Sequence, residues 1–397
     1  MEVQYRKARA DEWEACIEMA DFVFSFASGP TDFEKILPKV YQAGPDMAGI
    51  HRIAAGEDGK IRGLIAVLPQ TVVAAGQKLR VGYVGTVSVH PKARGEGHMK
   101  RLLGDWIREL ESDVDYLVLD GQRQRYGYFG FAPGGVRVQF GVDEANIRHV
   151  FGDRSGRQQG AAGQQITFAP LFAPECRGEA VDFAVRMNEA KPCYTERKPE
   201  KIEAILQTYG GKALAVRVDQ VLSGYLVLHG PNRITELVLA DADDAGSVIA
   251  AFMREQKLSE LTVQVPAFDL GLVRVLSSFA EESMIKPCGS LYRICNFANF
   301  LAAFLSLKAQ TIGIRDGNLS AVIEGQPVTV TVMDGIVTVE RQAEPDALQL
   351  SRAQAQELFL SMTAWAGGHA GLSEQDWNRI PQGWFPLPLF QYVPDGF

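Results

Sequence analysis

The chain has 397 residues, of which 46% are hydrophobic and 22% are charged, and its formal net charge at pH 7 is −8. A globular chain of this length exceeds one ordinary domain, so we expect two or three domains. The excess of negative charge argues against a general nucleic-acid binder and favours cationic substrates, because an acidic surface attracts amines.

Residues 1–150 are predicted to form a first domain of mixed helices and strands. It begins with a strand over residues 3–8 and a helix from Asp11. Apolar residues at helical spacing predict a second helix that contains Phe33, Ile36, Leu37 and Val40. A hairpin follows, with strands over 50–54 and 61–68 and a turn at Glu57-Asp58-Gly59. The pattern indicates an α/β fold of the α+β kind.

The next segment predicts a phosphate-binding turn. An apolar strand ends at Val87-Ser88-Val89 and passes through Pro91 into Arg94-Gly95-Glu96-Gly97. A helix then follows, because apolar residues recur at the spacing of one buried face: Met99, Leu102, Leu103, Trp106, Ile107 and Leu110. A glycine-containing turn between a strand and a helix leaves several backbone amides unpaired at the positive end of the helix dipole.

Two common phosphate loops are excluded. Gly210-Gly211-Lys212 lacks the upstream glycine and the hydroxyl residue of a P-loop, and no G-x-G-x-x-G follows a strand. The pattern V-x-V-x-P, then R-x-x-G-x-x, then an amphipathic helix resembles the pyrophosphate arm of the GNAT superfamily of N-acetyltransferases. In that family the free edge of the strand holds the pantetheine of acetyl-coenzyme A. The alternative is that Gly95 and Gly97 simply turn the chain.

A second segment agrees with this resemblance. Residues 116–135 contain a buried strand, a polar turn and the sequence Tyr126-x-x-Phe129-Gly130-Phe131. In the acetyltransferase fold the corresponding short helix places a tyrosine beside the thioester sulfur, where a phenol can protonate the departing thiolate. Tyr126 is therefore the expected proton donor. Tyr128 is an alternative, although it lies outside this register.

Residues 151–290 are predicted to form a second, degenerate acetyltransferase-like domain, entered through a glycine-rich linker over 152–165. A helix with Ile202 and Leu206 precedes a hairpin over 212–218 and 221–228. A strand over 234–239 and a helix over 245–256 then flank a turn, 240–244, that is acidic and would repel pyrophosphate. The alternative is an unrelated α+β domain whose acids cap a helix.

Residues 291–397 are predicted to form a third domain that looks like the sterol-carrier-protein fold. The pattern predicts a strand over 291–295, an apolar helix over 297–307, extended segments over 311–315, 328–333 and 336–341, and a helix over 351–362. Asp334-Gly335 is a strong hairpin signal. Many α+β domains share this outline, and a lipid cavity does not follow from it.

The composition also indicates a compartment. The sequence contains 5 cysteines. They are widely spread and lack C-x-x-C, which disfavours a disulfide scaffold and a zinc site. The first residues have no apolar h-region, and no uncharged apolar run is long enough to span a bilayer. We expect a cytoplasmic protein without a metal site, a nucleic-acid partner or a membrane partner.

The order of the three domains is similar to that of the Eis (enhanced intracellular survival) acetyltransferases, over essentially the whole chain. The resemblance implies acetyl-CoA as cosubstrate, a small-molecule amine such as an aminoglycoside as acceptor, and a homohexamer. In that family the carboxylate of the last residue is the general base. Here the aromatic, proline-rich tail ends at Phe397 and is unlike the polar ends that usually fray, so we expect it to dock.

The resemblance also implies cofactor contacts: Val87, Ser88, Val89, Arg94, Gly95, Gly97, His98, Met99 and Lys100 along the strand edge and around the pyrophosphate, with Gly121 and Gln122 beside the pantetheine. The family often has Ser-Glu at that last pair. The implied mechanism is direct transfer in a ternary complex, with Phe397 as base, a strand amide, that of Val87, for the oxyanion, and Tyr126 as acid. Two alternatives stay open: a non-catalytic lipid or small-molecule carrier, and an acyltransferase that uses a longer acyl donor or a protein lysine.

Overall fold

The computed structural model describes residues 2–152, 165–364 and 368–397, so residues 153–164 of the predicted linker lie outside the described part. The chain divides into two compact units. The first unit consists of Met1–Gly135, Gly289–Leu389 and Phe397, and the second consists of Val136–Cys288 and Phe390–Gly396.

The elements follow one another along the chain in three stretches. Up to residue 135 they are β1 (Val3–Lys7), α1 (Trp13–Ser28), α2 (Phe33–Ile36), α3 (Pro38–Tyr41), β2 (His51–Gly56), β3 (Ile61–Ala74), β4 (Gln77–Val89), α4 (His98–Leu110), β5 (Tyr116–Asp120), α5 (Arg123–Tyr126) and β6 (Ala132–Pro133). From residue 136 to 288 they are β7 (Val136–Asp143), α6 (Glu144–Phe151), β8 (Ile166–Pro170), α7 (Arg177–Glu189), β9 (Cys193–Thr195), α8 (Ile202–Leu206), β10 (Lys212–Val218), β11 (Val221–Leu228), β12 (Arg233–Leu239), α9 (Ala245–Gln256), β13 (Glu260–Pro266), α10 (Leu270–Ser277) and β14 (Glu282–Pro287). From residue 289 they are β15 (Ser290–Ile294), α11 (Phe297–Gln310), β16 (Gly317–Ile323), β17 (Gln326–Met333), β18 (Ile336–Glu340), β19 (Leu348–Leu350), α12 (Arg352–Leu360) and α13 (Glu374–Trp377).

The main sheet of the first unit has the strand order β1-β2-β3-β4-β5-β15-β6. The central pair, β4 and β5, is parallel, and its register covers Val81 to Tyr83 of β4, which pair with Tyr116 to Val118 of β5. Among the described residues, the pairing of β4 with β5 stops at Tyr83, although β4 itself continues to Val89. The other edge of β5 pairs with β15. The two strands therefore separate, and this separation leaves room for a cleft at the end of β4.

Helix α4 connects β4 to β5 and packs its apolar face on this sheet. Leu102, Leu103, Trp106 and Ile107 are buried, as the helical spacing predicts. The indole N–H of Trp106 donates to the backbone carbonyl of Ile65 on β3 at 3.0 Å. Burial of these side chains fixes the position of the helix, and with it the position of the turn at its N-terminus.

A smaller sheet in the first unit has the order β18-β17-β16-β19. The predicted hairpin at Asp334-Gly335 is confirmed: Met333 pairs with Ile336, and φ is +52° at Asp334 and +75° at Gly335. Two positive φ angles are what a two-residue hairpin turn of type I′ requires.

The second unit has a sheet in the order β14-β7-β13-β12-β11-β10-β8. Here too a parallel strand pair is joined by a helix, because β12 pairs with β13 and α9 lies between them in the chain. The acidic turn before α9 is a capping turn, in which the Asp241 carboxylate accepts the backbone N–H of Asp243 at 2.9 Å. The second unit therefore repeats the strand–helix–strand order of the first and differs in the chemistry of its turn.

A buried ion cluster lies inside the second unit. Arg197 donates to Glu236 at 2.9 Å through two nitrogens and to Asp395 at 2.8 and 2.9 Å. Glu236 also accepts from Lys191 and from the hydroxyl of Tyr225, each at 2.8 Å. Burial alone would raise the pKa of Glu236, but the charges of Arg197 and Lys191 outweigh that effect and hold the pKa below its ordinary value. Two cations thus neutralise two carboxylates in a site where only the Lys191 side chain is partly exposed.

Two sequence predictions about local structure are wrong. The segment 311–315 is not a strand, because α11 continues to Gln310 and the N–H of Gly313 then closes the helix end by donating to the carbonyl of Lys308 at 2.8 Å. The single helix predicted around Phe33 is two short helices, because Pro38 cannot continue the backbone hydrogen bonding of α2 and instead starts α3.

Candidate active site

The turn between β4 and α4 has the geometry of an anion-binding turn. Gly95 and Gly97 have φ angles of +89° and +83°, which residues with a Cβ rarely adopt. A Cβ added to either glycine would meet no atom within 4 Å, so the backbone is open to a ligand there. Helix α4 begins at His98, and the first turn of a helix presents N–H groups that lack intrahelical partners.

A cleft of about 920 Å³ lies at this turn. Three cationic side chains line it, namely Arg94, Lys100 and Arg125. The sequence prediction missed Arg125, although the arginines of α5 are the signal that would have found it. Three cations and a helix N-terminus in one cleft select an anionic ligand.

Most of the predicted cofactor contacts lie together in this cleft: Val87, Val89, Arg94, Gly95, Gly97, His98, Met99 and Lys100 line it. The ring of His98 is buried and hydrogen-bonded to the Tyr5 hydroxyl at 2.9 Å and to Glu96 at 3.0 Å, so its backbone amide is the group that can meet a ligand.

Three predicted contacts are not among the lining residues. Ser88 is fully buried, and among the described residues its hydroxyl has no hydrogen-bond partner. Gly121 and Gln122 are exposed at the end of β5, where Gln122 occupies the N-cap position of α5.

Tyr126 lies on α5 next to the end of β5. A Cβ on Gly121 would lie 2.4 Å from the Tyr126 ring, so a glycine is needed at position 121 for the ring to pack there. Tyr126 is 5% exposed, and burial raises the pKa of its phenol above an ordinary value that already keeps the phenol protonated at neutral pH. The alternative donor, Tyr128, is 70% exposed and lines the cleft, with the Lys100 ammonium 4.6 Å from its ring centre.

The last residue of the chain packs on β4. A Cβ on Gly85 would lie 2.7 Å from Cδ1 of Phe397 and 2.9 Å from the carbon and an oxygen of its terminal carboxyl group. The Phe397 ring meets the Tyr83 ring edge-on, with 6.4 Å between their centres. The hydroxyl of Tyr83 donates to Asp120, at the end of β5, at 2.8 Å. The Phe397 carboxyl group thus lies against the strand that leads into the glycine turn.

A bulge in β4 lies between these two features. Leu64 pairs with Ser88 and Ala66 pairs with Gly85, so Thr86 and Val87 face the single residue Ile65 on β3. Thr86 has a φ of +50°, an uncommon conformation for a β-branched residue. The sequence prediction missed this bulge, because no turn residue marks it.

Comparisons with known proteins agree with this geometry. Residues 4–133 match the family model described as "Acetyltransferase (GNAT) domain". The chain therefore carries a GNAT acetyltransferase domain. A comparison of the sequence with curated proteins found no significant match.

Several solved structures share the fold over nearly the whole chain. A GCN5-related N-acetyltransferase from Anabaena variabilis is 17% identical, covers 98% of both chains and has a TM-score of 0.65. A conserved protein from Enterococcus faecalis V583, described as a probable N-acyltransferase, is 15% identical, covers 90% of both chains and has a TM-score of 0.64. Eis1 from Mycobacterium abscessus is 14% identical, covers both chains fully (100%) and has a TM-score of 0.62. At these identities the likeness is one of fold, and together with the family match it supports an acyltransferase.

Among the described residues, no helix combines the length and the apolar character that a membrane span requires. Within the same ranges, no group of three or more His, Cys, Asp or Glu side chains could hold a metal ion.

Proposed function

We propose that this protein is an N-acetyltransferase that transfers the acetyl group of acetyl-CoA to a primary amine of a small molecule in a ternary complex. One observation carries the proposal: β4 holds the Phe397 carboxyl group at Gly85 and, a few residues later, enters the cationic glycine turn. A base for an amine and a site for a diphosphate are thus held by one strand.

The residues of the cleft fit coenzyme A. Arg94, Lys100 and Arg125 complement the negative phosphates, and the open backbone at Gly95 and Gly97 lets a diphosphate approach the amides of α4. Bound acetyl-CoA supplies an activated thioester, so the protein needs no covalent intermediate.

The groups of the protein then have three roles. The Phe397 carboxylate binds the acceptor ammonium and removes its proton, so that the neutral amine can then attack the acetyl carbon. The backbone N–H of Val87 stabilises the negative oxygen of the tetrahedral intermediate. The Tyr126 phenol, whose pKa burial raises above its ordinary value, gives its proton to the departing sulfur and regains one from the nitrogen of the tetrahedral intermediate.

The finer features implied by the Eis resemblance belong to the same proposal. They are the three domains 1–150, 151–290 and 291–397 with a sterol-carrier-like end, an aminoglycoside-like acceptor, a cytoplasmic location and a hexameric assembly. Each of them stays a prediction.

Two assays test the proposal. In the first, the protein and acetyl-CoA are mixed with a panel of small amines, and released thiol and the mass of each amine are measured. We expect thiol release together with a mass increase of one acetyl group. Thiol release without a modified amine would contradict the N-acetyltransferase proposal. Faster thiol release from a longer acyl-CoA than from acetyl-CoA would show that the longer acyl-CoA is the preferred donor.

In the second assay, binding of desulfo-CoA is measured calorimetrically for the parental chain, Gly97→Val and Gly76→Val. Both glycines have positive φ and nothing within 4 Å of an added Cβ, but Gly76 lies in the turn between β3 and β4, at the opposite end of β4 from the glycine turn. We expect only Gly97→Val to weaken binding. Absence of binding to the parental chain at millimolar ligand would refute the proposed cofactor site.

A further inference from the structure

The bulge of β4 lies between the two backbone positions that the proposed reaction uses. Gly85 lies against the Phe397 carboxyl group, and the backbone N–H of Val87 is the proposed donor to the oxyanion. Thr86, between them, has a left-handed conformation in the middle of a strand. Because φ and ψ of Thr86 set the direction of the Thr86–Val87 peptide, whatever holds Thr86 in this conformation also aims the Val87 N–H.

A chain of buried hydrogen bonds ends at Thr86. The Thr86 hydroxyl and the Tyr41 hydroxyl are 2.8 Å apart, and the Tyr41 hydroxyl lies 3.1 Å from Nε2 of His51. Nδ1 of His51 lies 3.3 Å from the carbonyl oxygen of Ala48. These side chains come from α3, β2 and β4, and each is at most 5% exposed.

The direction of each bond follows from the chemistry of the partners. Burial lowers the pKa of His51 to about 4, so the ring is neutral and carries one proton. A carbonyl can only accept, so that proton is on Nδ1 and faces Ala48. Nε2 then accepts the Tyr41 O–H, and the Tyr41 oxygen is left to accept the O–H of Thr86. The hydrogen bonds therefore have one consistent direction, from the Thr86 hydroxyl through Tyr41 and His51 to the carbonyl of Ala48. This series of bonds holds the Thr86 side chain.

Aromatic neighbours fix the position of Tyr41. Trp13 stacks on its ring with 5.7 Å between centres and also meets the His51 ring edge-on at 5.6 Å. Phe33 meets the Tyr41 ring edge-on at 5.3 Å. A ring held on these sides keeps its hydroxyl in one place, so the Thr86 side chain is held by a rigid group.

We propose that Tyr41 and His51 are positioning residues for acyl transfer, which hold Thr86 in its left-handed conformation and so aim the Val87 N–H at the oxyanion. The inference rests on the proposed function. It adds two residues, Tyr41 and His51, that touch neither substrate. Their loss changes the rate of acyl transfer because it changes the backbone conformation of β4.

The kinetic test compares Tyr41→Phe, Thr86→Gly and the double variant. Tyr41→Phe removes the hydroxyl that Thr86 needs, and we expect kcat to fall by about tenfold to a hundredfold with KM for acetyl-CoA little changed. Glycine adopts a φ near +50° without help, so in the Thr86→Gly background Tyr41→Phe should change kcat by less than about twofold. An equal loss in both backgrounds would refute the proposal.

Ser320→Ala serves as the matched control, since it also removes a buried side-chain hydroxyl, which lies 2.9 Å from the Thr329 hydroxyl in the smaller sheet. It should keep the parental kcat and KM. If it lowers kcat as much as Tyr41→Phe does, the effect of Tyr41→Phe is a general response to a lost buried hydrogen bond, and the proposal fails.

A crystal structure of Tyr41→Phe, or of His51→Gln if the first variant does not fold, gives a readout that does not depend on activity. We expect Thr86 to leave the left-handed region in either variant. If φ stays near +50°, the hydrogen bonds do not hold the bulge and the inference is wrong. If φ changes but the parental chain acetylates no amine, the positional role stands and the proposed function fails.

Discussion

Gly85→Ala tests the role of the chain terminus with the smallest possible change. The added methyl group would lie 2.7 Å from Cδ1 of Phe397 and 2.9 Å from the carbon and an oxygen of its carboxyl group. Ordinary contact between carbon atoms is about 3.5–4.0 Å, so the terminal residue must retreat by roughly 0.6–1.3 Å. The φ of Gly85 lies outside the left-handed region, so alanine does not strain the backbone by itself.

A displacement of about 1 Å of a catalytic group costs on the order of a hundredfold in rate, or about 2.7 kcal/mol in the barrier. We expect Gly85→Ala to lower kcat by that order while KM for acetyl-CoA stays near the parental value. Gly82→Ala is the control, because Gly82 lies on the same strand as Gly85 but its Cβ would lie 2.6 Å from the buried Leu117 side chain of β5, which would lower stability rather than kcat. Steady-state kinetics and thermal unfolding of both variants separate the two effects.

Deletion of Phe397 tests whether Gly85→Ala acts through the terminal residue. If the methyl group acts by moving the terminal carboxylate, Gly85→Ala should cost almost nothing further in a chain that already lacks Phe397. Full additivity of the two changes would refute the reasoning, since the effect would then arise in the strand and not at the terminus.

Three further predictions concern other groups. Tyr126→Phe should lower kcat by about a hundredfold without changing KM for acetyl-CoA, whereas Tyr128→Phe should leave kcat nearly unchanged; the reverse result in steady-state assays would make Tyr128 the acid. The pKa of His51 is depressed to about 4 from 6.5, so the unfolded chain takes up the proton first and stability falls as pH drops from 6.5 to 4. In urea unfolding, the free energy of unfolding of the parental chain should fall by about 3 kcal/mol between pH 6.5 and pH 4, and that of His51→Gln should not show this fall. Equal dependence of the unfolding free energy on pH in the two proteins would contradict this prediction. Arg197→Met leaves two buried carboxylates short of a partner and should lower the free energy of unfolding by about 3–5 kcal/mol in the same assay; a change under about 1 kcal/mol would show that the cluster relaxes.

Much of the phosphate turn could be read from the sequence because its causes are local. Alternating apolar residues end β4 at Val89, Gly95 and Gly97 permit the positive φ angles, and the 3.6-residue period of Leu102, Leu103 and Trp106 predicts α4. The hairpin at Asp334-Gly335 is predictable for the same reason, since the conformation of a two-residue turn depends on the residues within it.

Other parts of the candidate site depend on residues far apart in the chain. Phe397 was expected in the site through resemblance alone, and its seat at Gly85 is visible only in the structure. Tyr41 and Thr86 are 45 residues apart, and neither has a sequence pattern that predicts their hydrogen bond.

By itself, then, the sequence determined the strand, the glycine turn and the amphipathic helix of the acetyltransferase unit, because these follow from the periodicity and conformational preferences of neighbouring residues. The tertiary structure alone decided that β5 pairs with β15, about 170 residues later, and that Thr86 forms a bulge against β3. Strand register and buried hydrogen bonds are set by packing between distant segments, and that packing exists only once the chain has folded.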